Sequence, residues 1–358
     1  MIKLIDRYII GKFLGTYFFM LGIIMLLAVV FDISEKLSEF IDNQAPFSEI
    51  LLNYYMNFVL FYGNMFSSMI IFISVIWFTA KMAQETEIIP IWFSGRPISR
   101  FIRPYFLGAT VLMILSLILN HFVIPRANKV RLEFEEKYYR DRMHIEEYHA
   151  EFPGNEIVYF SSYGSEDNLI NEFVVEKWGD DKKIKHFIKA RTAKNITGTN
   201  RWILNDYYER HVGYPNDQLI QKHQKDTTFQ FTIEDMAQRD NIAEAMTFTQ
   251  LTKHIDRERK KGSSKVPYFE IELHQRTSYP FAAYILTIIG VAVSSQKKRG
   301  GIGMNIAIGL GIVFIYIFVM KVATVSTIKI GFPAVVAVWI PNMIFAVVAL
   351  FMYRFAQK

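Results

Sequence analysis

Residues 13–31 read FLGTYFFMLGIIMLLAVVF, an apolar run that no charged side chain interrupts. A transmembrane helix needs about 20 predominantly apolar residues, because it must cross roughly 30 Å of hydrocarbon. The run therefore predicts a membrane span near the start of the chain. It is long for the apolar part of a signal peptide, and Asp32-Ile33-Ser34-Glu35-Lys36 offers no small-residue cleavage site after it.

Five further apolar runs have a similar character, and the six predicted spans fall into two groups of three. They are Phe13–Phe31, Tyr55–Thr79, Tyr105–Ile124, Pro280–Ser295, Ile302–Ala323 and Phe332–Tyr353. The polar stretch between the groups contains no span. We therefore predict an α-helical integral membrane protein with six transmembrane helices and an inserted all-β domain. Its predicted domains are 1–124, 125–275 and 276–358.

Composition agrees with a membrane protein that carries one water-soluble part. Hydrophobic residues make up 51% of the 358-residue chain and charged residues 21%, which excludes a disordered chain. The chain has no cysteine, which excludes disulfides, thiolate catalysis and cysteine-ligated metals. The formal net charge is +6, and the basic residues lie beside apolar spans. This position favours a membrane surface over nucleic acid as their partner.

The basic residues also predict the orientation, because lysine and arginine near span ends stay in the cytoplasm. They cluster before span one, between spans two and three, between spans four and five, and after span six. Both termini are therefore predicted on the cytoplasmic side of the membrane, with the central domain on the opposite side. Four cations lie at outer span ends against this rule. They are Arg126, Lys129, Arg131 and Arg276.

The central domain has the pattern of short strands. Apolar and polar residues alternate in stretches such as 155–160 and 173–178, and turn residues such as Gly179-Asp180-Asp181 separate them. This pattern predicts an antiparallel sandwich or barrel. Helices are predicted to flank it at 126–142 and 247–261. The residues proposed to line its interior are Ile157, Tyr159, Phe187, Ile203 and Phe231.

Motifs for catalysis are absent from the sequence. The chain has no Walker A loop, no HExxH, no GxSxG and no GxGxxG after a strand. Its histidines are scattered, so we predict no metal site, no cofactor bound by this chain and no enzymatic activity. No acidic residue lies at the centre of a span, which argues against an ion-coupled transporter.

The segment 84–95, between spans two and three, predicts a short helix on the cytoplasmic side. Thr86 is a candidate N-cap, Pro90 is tolerated in a first turn, and Gly95 can end the helix. Its apolar surface would come from Ile88, Ile91 and Trp92. Two interpretations remain open at this point. The helix either lies on the inner leaflet, with the arginines that follow at the headgroups, or docks into a cytoplasmic ATPase.

Glu85-Thr86-Glu87-Ile88-Ile89, followed by Ser94-Gly95, resembles the coupling-helix pattern of the LptF/LptG permeases (YjgP/YjgQ family) of the lipopolysaccharide export ABC transporter. The N-terminal Leu4-Ile5-Asp6-Arg7-Tyr8-Ile9 and the last span, from Phe332-Pro333 to Pro341-Asn342, are also similar to that family. The resemblance covers nearly the whole chain and is closer to the LptG branch.

The resemblance implies a function and a set of partners. The chain would be a permease that extracts lipopolysaccharide from the inner membrane and passes it to a periplasmic β-jellyroll bridge. Its own central domain would be jellyroll-like. The partners would be a second permease of the family, a dimer of a cytoplasmic ATPase that uses ATP and Mg²⁺, and a single-span jellyroll protein. The coupling residues would be Glu85, Glu87, Ile88, Ile91, Trp92, Gly95 and Arg96, with Glu87 pairing with a basic group of the ATPase.

Two further sets of residues are candidates for binding and packing. Cations at the outer surface would hold the phosphates of an anionic lipid headgroup, since arginine binds phosphate through forked hydrogen bonds. These candidates are Lys36, Arg126, Lys129, Arg131 and Arg276. Gly303, Ala307 and Gly311 have the four-residue spacing that allows helices to approach closely in lipid. They predict a contact between permeases or packing inside the chain.

Two other functional classes stay open on sequence alone. One is an ion-coupled or facilitative lipid or glycolipid transporter with an extracytoplasmic binding domain. The other is a membrane-tethered binding module, for which a single span would suffice. Co-purification with an ATPase would distinguish both from a subunit of an ABC transporter.

Overall fold

A computed structural model describes most of the chain and divides it into two compact units. The helical unit comprises Met1–Tyr139, Ala243–Leu251 and Pro267–Lys358, and the sheet unit comprises Arg140–Ile242 and Thr252–Val266. The described residues are 3–93, 98–138, 144–152, 154–164, 168–196, 199–213, 216–236, 240–260, 262–263, 265–295 and 301–355.

Helices account for nearly all of the helical unit. In chain order the α-helices are α1 Leu4–Asp42, α2 Phe47–Glu49, α3 Met56–Met65, α4 Ser67–Gln84, α5 Ile88–Phe93, α6 Ile98–Ile118, α7 Ile124–Tyr138, α8 Ile233–Met236, α9 Phe248–Lys260, α10 Val266–Ser294, α11 Gly301–Ile330 and α12 Ala334–Phe355. Two π-helical segments, Ile50–Tyr55 and Leu119–Val123, and a 3₁₀ segment, Asp240–Ala245, complete the helical structure of the described residues.

Six helices in the described part of the chain are long and apolar enough to cross a membrane, which confirms the predicted three-plus-three arrangement. The second span differs from its predicted bounds: it is α4, and the predicted start at Tyr55 lies in the preceding helical segments. The helix is interrupted at Phe66, between α3 and α4. Ser67 and Ser68 follow the break, and their hydroxyls bond to Tyr17 Oη (2.7 Å) and to the Tyr279 carbonyl (3.2 Å).

The core of the helical unit lies around α4 and α10, the two most buried spans. Close helix packing explains this burial. A Cβ atom at Gly290 would lie 2.9 Å from Val75, and one at Gly309 would lie 2.3 Å from Ile76. The unit also extends past the predicted boundary at residue 124, because helix continues from Ser99 through Tyr138.

The sheet unit contains one antiparallel sheet of six strands, each paired with its neighbours in the chain. The strands are β1 His144–Phe152, β2 Glu156–Gly164, β3 Leu169–Trp178, β4 Ile184–Asn195, β5 Arg201–His211 and β6 Gln218–Thr228. The inserted all-β domain is thus confirmed. Its described strands form an up-and-down meander, so the likeness to a jelly roll lies in the antiparallel pairing and the single core, not in Greek-key crossovers.

One face of this sheet forms an apolar core. Its centre is Trp202, which is fully buried, stacks on Phe173 at 5.3 Å and donates Nε1–H to the Phe231 carbonyl at 3.1 Å. The predicted lining was wrong for four of its five residues. Phe231 is buried, but Ile157, Tyr159, Phe187 and Ile203 are not, because the core takes their neighbours. The buried neighbours are Val158, Phe160, Ile188, Trp202 and Leu204.

Candidate functional site

The junction between α4 and α5 is a tight helix end. The amide of Glu87 donates to the Met82 carbonyl at 2.9 Å, and the amide of Thr86 donates to the Ala83 carbonyl at 3.3 Å. This pair of bonds is a Schellman motif, in which the residue after the helix adopts a left-handed conformation. Thr86 occupies that position with φ 60°. Its hydroxyl donates to the Glu85 carbonyl, so Thr86 ends α4 instead of capping α5 as predicted.

The junction brings Glu87 against the first span. Tyr8 on α1 donates its hydroxyl to the Glu87 carboxylate, at 3.0 Å from Oε2 and 3.2 Å from Oε1. Ile88, the first residue of α5, is buried, whereas Glu85 is exposed and pairs loosely with Lys81 at 3.9 Å. Glu87 is therefore attached to α1 at the point where the chain enters α5.

A second contact at the same end joins α1 to α6. Asp6 is buried, and its Oδ2 accepts hydrogen bonds from Arg100 Nη2 at 2.7 Å and from the amide of Lys3 at 2.9 Å. Because this carboxylate is removed from water, its partners are needed to keep it charged. The N-terminal end of α1 is thus connected to α6 by an ion pair and to the α4–α5 junction by a hydrogen bond.

The other predicted coupling residues are less fully described. Ile91 and Trp92 lie within α5, of which the backbone is described here. Gly95 and Arg96 lie outside the described residues. The pairing of Asp6 with Arg100 and of Tyr8 with Glu87 was not predicted from the sequence. No local pattern relates residues that are 94 and 79 positions apart.

At the other end of α1, Lys36 lies in an aromatic cluster. Its Nζ pairs with Asp32 Oδ1 at 2.5 Å, bonds to the Tyr54 hydroxyl and lies 5.0 Å from the centre of the Tyr54 ring. The Tyr55 hydroxyl donates to the other oxygen of Asp32 at 3.2 Å. Only 15% of the Lys36 side chain is exposed. The i,i+4 spacing of Asp32 and Lys36 was visible in the sequence, but their enclosure by tyrosines was not.

The candidate cations of α7 divide into a buried and an exposed class. Arg131 is buried: its Nε donates to Asn128 Oδ1 at 2.8 Å, its Nη1 pairs with Glu135 at 2.5 Å, and its guanidinium lies 4.9 Å from the Phe61 ring centre. Arg126 and Lys129 are exposed, and Lys129 pairs loosely with Glu133 at 3.8 Å.

Arg276 on α10 is also buried. It donates Nη1–H to the Met246 carbonyl and Nη2–H to the Ala243 carbonyl, both at 2.7 Å, and Nε–H to Glu272 at 3.0 Å. Glu244, in the same 3₁₀ region, accepts from Asn128 at 3.0 Å. Burial, together with the nearby charge of Glu272, raises the pKa of Glu244. Arg276 thus fastens the segment 243–246 to α10.

The three small residues of α11 face away from the rest of the helical unit. Gly303, Ala307 and Gly311 are exposed, and no described atom lies within 4 Å of a Cβ built on either glycine. On α1, Gly11 and Gly15 have equally open surroundings and line an apolar groove of about 920 Å³ beside Trp77. Packing among the described residues therefore does not use these small residues.

The comparisons with known proteins give one result. A search of curated proteins found no match. The sequence profile of the family described as "Lipopolysaccharide export system permease LptF/LptG" matches residues 7–354. This match covers both groups of spans and the whole inserted sheet, and it does not separate the two branches of the family. The chain therefore belongs to the LptF/LptG family of lipopolysaccharide export permeases.

Proposed function

We propose that this inner-membrane permease extracts lipopolysaccharide, with energy from a separate cytoplasmic ATPase, and passes it through the sheet unit to a periplasmic bridge. The observation that carries the proposal is the connection of the α4–α5 junction to the first span. A force applied to α5 reaches α1 through the Glu87–Tyr8 hydrogen bond. It reaches α6 through the short connection between α5 and α6. The Asp6–Arg100 ion pair holds α1 and α6 together.

In this proposal the ATPase dimer binds the α5 region, and Glu87 pairs with one of its basic groups. The Tyr8 hydroxyl holds the carboxylate in place and leaves lone pairs free for a charged donor, because a carboxylate accepts about four hydrogen bonds. The exposed side of Glu85 and the apolar residues of α5 other than the buried Ile88 supply the remaining contact. The chain itself hydrolyses no ATP.

The test uses the complete complex in proteoliposomes. Glu87→Ala or Glu87→Lys should lower lipopolysaccharide export at least tenfold, whereas Tyr8→Phe should lower it less, because the carboxylate remains. Glu39→Ala, an exposed acid at the far end of α1, is the matched control. Normal export and ATP hydrolysis in both Glu87 variants would overturn the proposed coupling.

The outer cations suit the headgroup of lipopolysaccharide in two ways. Arg126 and Lys129 are exposed and can meet phosphate directly, while Arg131 and Arg276 are engaged by groups of the protein. Lys36 lies between these cases, with Asp32 as its partner. We propose that Arg126, Lys129 and Lys36 contact the headgroup, and that Arg131 and Arg276 shape the surface that presents them.

Crosslinking to lipopolysaccharide separates these roles. Arg126→Gln with Lys129→Gln should reduce crosslinking at the outer surface without lowering thermal stability. Arg131→Gln, in contrast, should lower thermal stability, because Arg131 is buried and paired. Crosslinking that is unchanged in the double variant and in Lys36→Ala would remove the headgroup assignment.

The second permease would cover the open small-residue surfaces. Helices approach closely in lipid where small residues align, and α1 and α11 both present such residues without a described neighbour. Gly311→Leu should prevent co-purification of the second permease, whereas Gly311→Ala, a smaller change at the same position, should weaken it only slightly. Intact complexes with leucine at both Gly303 and Gly311 would exclude this surface.

A further inference from the structure

Three side chains of metal-binding types converge at one end of the sheet unit. His186 lies near the start of β4, and Glu209 and His211 lie at the end of β5. His186 is directly opposite His211 in the register of the two strands. Glu209 and His211 are two residues apart, so their side chains point to the same face of the sheet. The pairing of β4 with β5 thus assembles the group.

The donor atoms of this group lie close together. Glu209 Oε1 lies 2.7 Å from His186 Nε2 and 3.2 Å from His211 Nε2. The two imidazole rings stack with centres 4.1 Å apart and planes inclined by 9°. All three donor atoms lie within 4.8 Å of one another.

The Glu209–His211 separation of 3.2 Å matches that of a zinc site, and the Glu209–His186 separation of 2.7 Å is shorter. With metal–ligand bonds of about 2.0–2.1 Å and tetrahedral angles, neighbouring donor atoms are about 3.3 Å apart. We infer that His186, Glu209 and His211 bind one divalent transition-metal ion of the Zn²⁺ type on this face of the sheet. Three protein ligands leave one coordination position for water or another donor.

Lys225 holds the Glu209 carboxylate in position through an ion pair. Its Nζ lies 2.5 Å from Glu209 Oε2, so it occupies the oxygen that the histidines do not contact. The ion pair therefore fixes the orientation of the Glu209 carboxylate and leaves Oε1 beside the two histidines.

Ligand type and access select the metal and allow its entry. Two imidazoles and one carboxylate suit Zn²⁺, Ni²⁺ or Cu²⁺, whereas Mg²⁺ and Ca²⁺ prefer oxygen ligands. The His211 side chain is 47% exposed and that of His186 is 27% exposed, whereas Glu209 is buried. An ion can therefore reach the histidines from solvent, and it would fasten the start of β4 to the end of β5.

Zinc binding to the full-length chain tests the inference. The chain is purified in detergent on an affinity tag without histidines, treated with a chelator, and titrated with ZnCl₂ by calorimetry. We expect one Zn²⁺ per chain with a sub-micromolar Kd. His186→Ala, His211→Ala and Glu209→Gln should each weaken binding at least tenfold. Saturating Zn²⁺ should raise the Tm of the wild-type protein by several degrees but not that of His211→Ala, because only a bound ligand stabilises the folded state.

A matched control distinguishes this site from ordinary surface histidines. His223 on β6 is fully exposed and pairs with Asp206 at 3.1 Å, so His223→Ala removes a histidine–carboxylate pair without touching the site. It should leave the stoichiometry and Kd unchanged, and MgCl₂ should give no binding heat. No stoichiometric Zn²⁺ binding, or equal weakening by His223→Ala and His211→Ala, would overturn the inference. Since His211 is half exposed, loss of the fold does not complicate its variant.

Discussion

Arg276, one of the cations at a predicted outer span end, serves the fold. Its guanidinium is buried and satisfied by two carbonyls and Glu272. Arg276→Ala would leave these acceptors unpaired and should destabilise the helical unit by about 3–5 kcal/mol. Arg126→Ala, at an exposed position, should change stability by less than about 0.5 kcal/mol. Thermal unfolding in detergent measures both, and equal effects would contradict the division into buried and exposed cations.

Thr86 carries backbone strain at the start of the α5 connection. A β-branched residue at φ 60° is unfavourable, and glycine is the usual residue at this position of a helix end. Thr86→Gly should therefore stabilise the protein by roughly 1 kcal/mol. Gly331 has φ 73° and open surroundings, so Gly331→Ala should show a loss of similar size. The prediction fails if both substitutions shift the Tm in the same direction.

Glu209 gives the sheet unit a stability that depends on pH. Its folded pKa lies below the unfolded value of about 4.3, so its ionised form stabilises the fold. This contribution is present above about pH 4.3 and is lost as the pH falls through the folded pKa. With chelator present, the stability difference between wild type and Glu209→Gln should shrink between pH 6 and pH 3. A stability difference that grows as the pH falls over this range would show that the ionised form of Glu209 does not stabilise the fold.

At the scale of the element, the sheet core depends on Trp202. Its ring is fully buried and its indole N–H has a carbonyl partner. Trp202→Ala should cost about 3–5 kcal/mol through the cavity it leaves. Tyr159→Ala, at a 38% exposed position that the sequence placed in the core, should cost much less. Pulse proteolysis of the central unit in urea can compare them, and a larger effect of Tyr159→Ala would restore the predicted lining.

The elements also show what the sequence could and could not specify. Spans are predictable because the bilayer demands long apolar runs, and the number and grouping of the spans were correct. The core face of the sheet was not predictable, because Ile157-Val158-Tyr159-Phe160 is apolar at every position and a shift of one residue exchanges the two faces. The break at Phe66 and the Tyr8–Glu87 contact depend on neighbours distant in sequence. Local patterns hold no information about them.

At the scale of the whole molecule, the orientation can be tested directly because the native chain has no cysteine. Asp180→Cys, in the exposed turn before β4, should react with an impermeant maleimide in intact spheroplasts. Glu85→Cys should react only after the membrane is permeabilised. Both positions are solvent-exposed, so accessibility in the folded protein is matched. Labelling of Glu85→Cys, but not of Asp180→Cys, in intact spheroplasts would invert the proposed topology.

The first helix has a mechanical consequence for transport. It runs unbroken through 39 residues, about 58 Å at 1.5 Å per residue, nearly twice the thickness of the hydrocarbon layer. Tyr8 and Lys36 lie on this one rod, about 42 Å apart along its axis. If it tilts as a rigid body about its inner end by about 10°, the ammonium group at the far end sweeps roughly 7 Å. In the proposed function, rotation of this helix about the end that carries Tyr8 would open a lateral gap wide enough to admit an acyl chain.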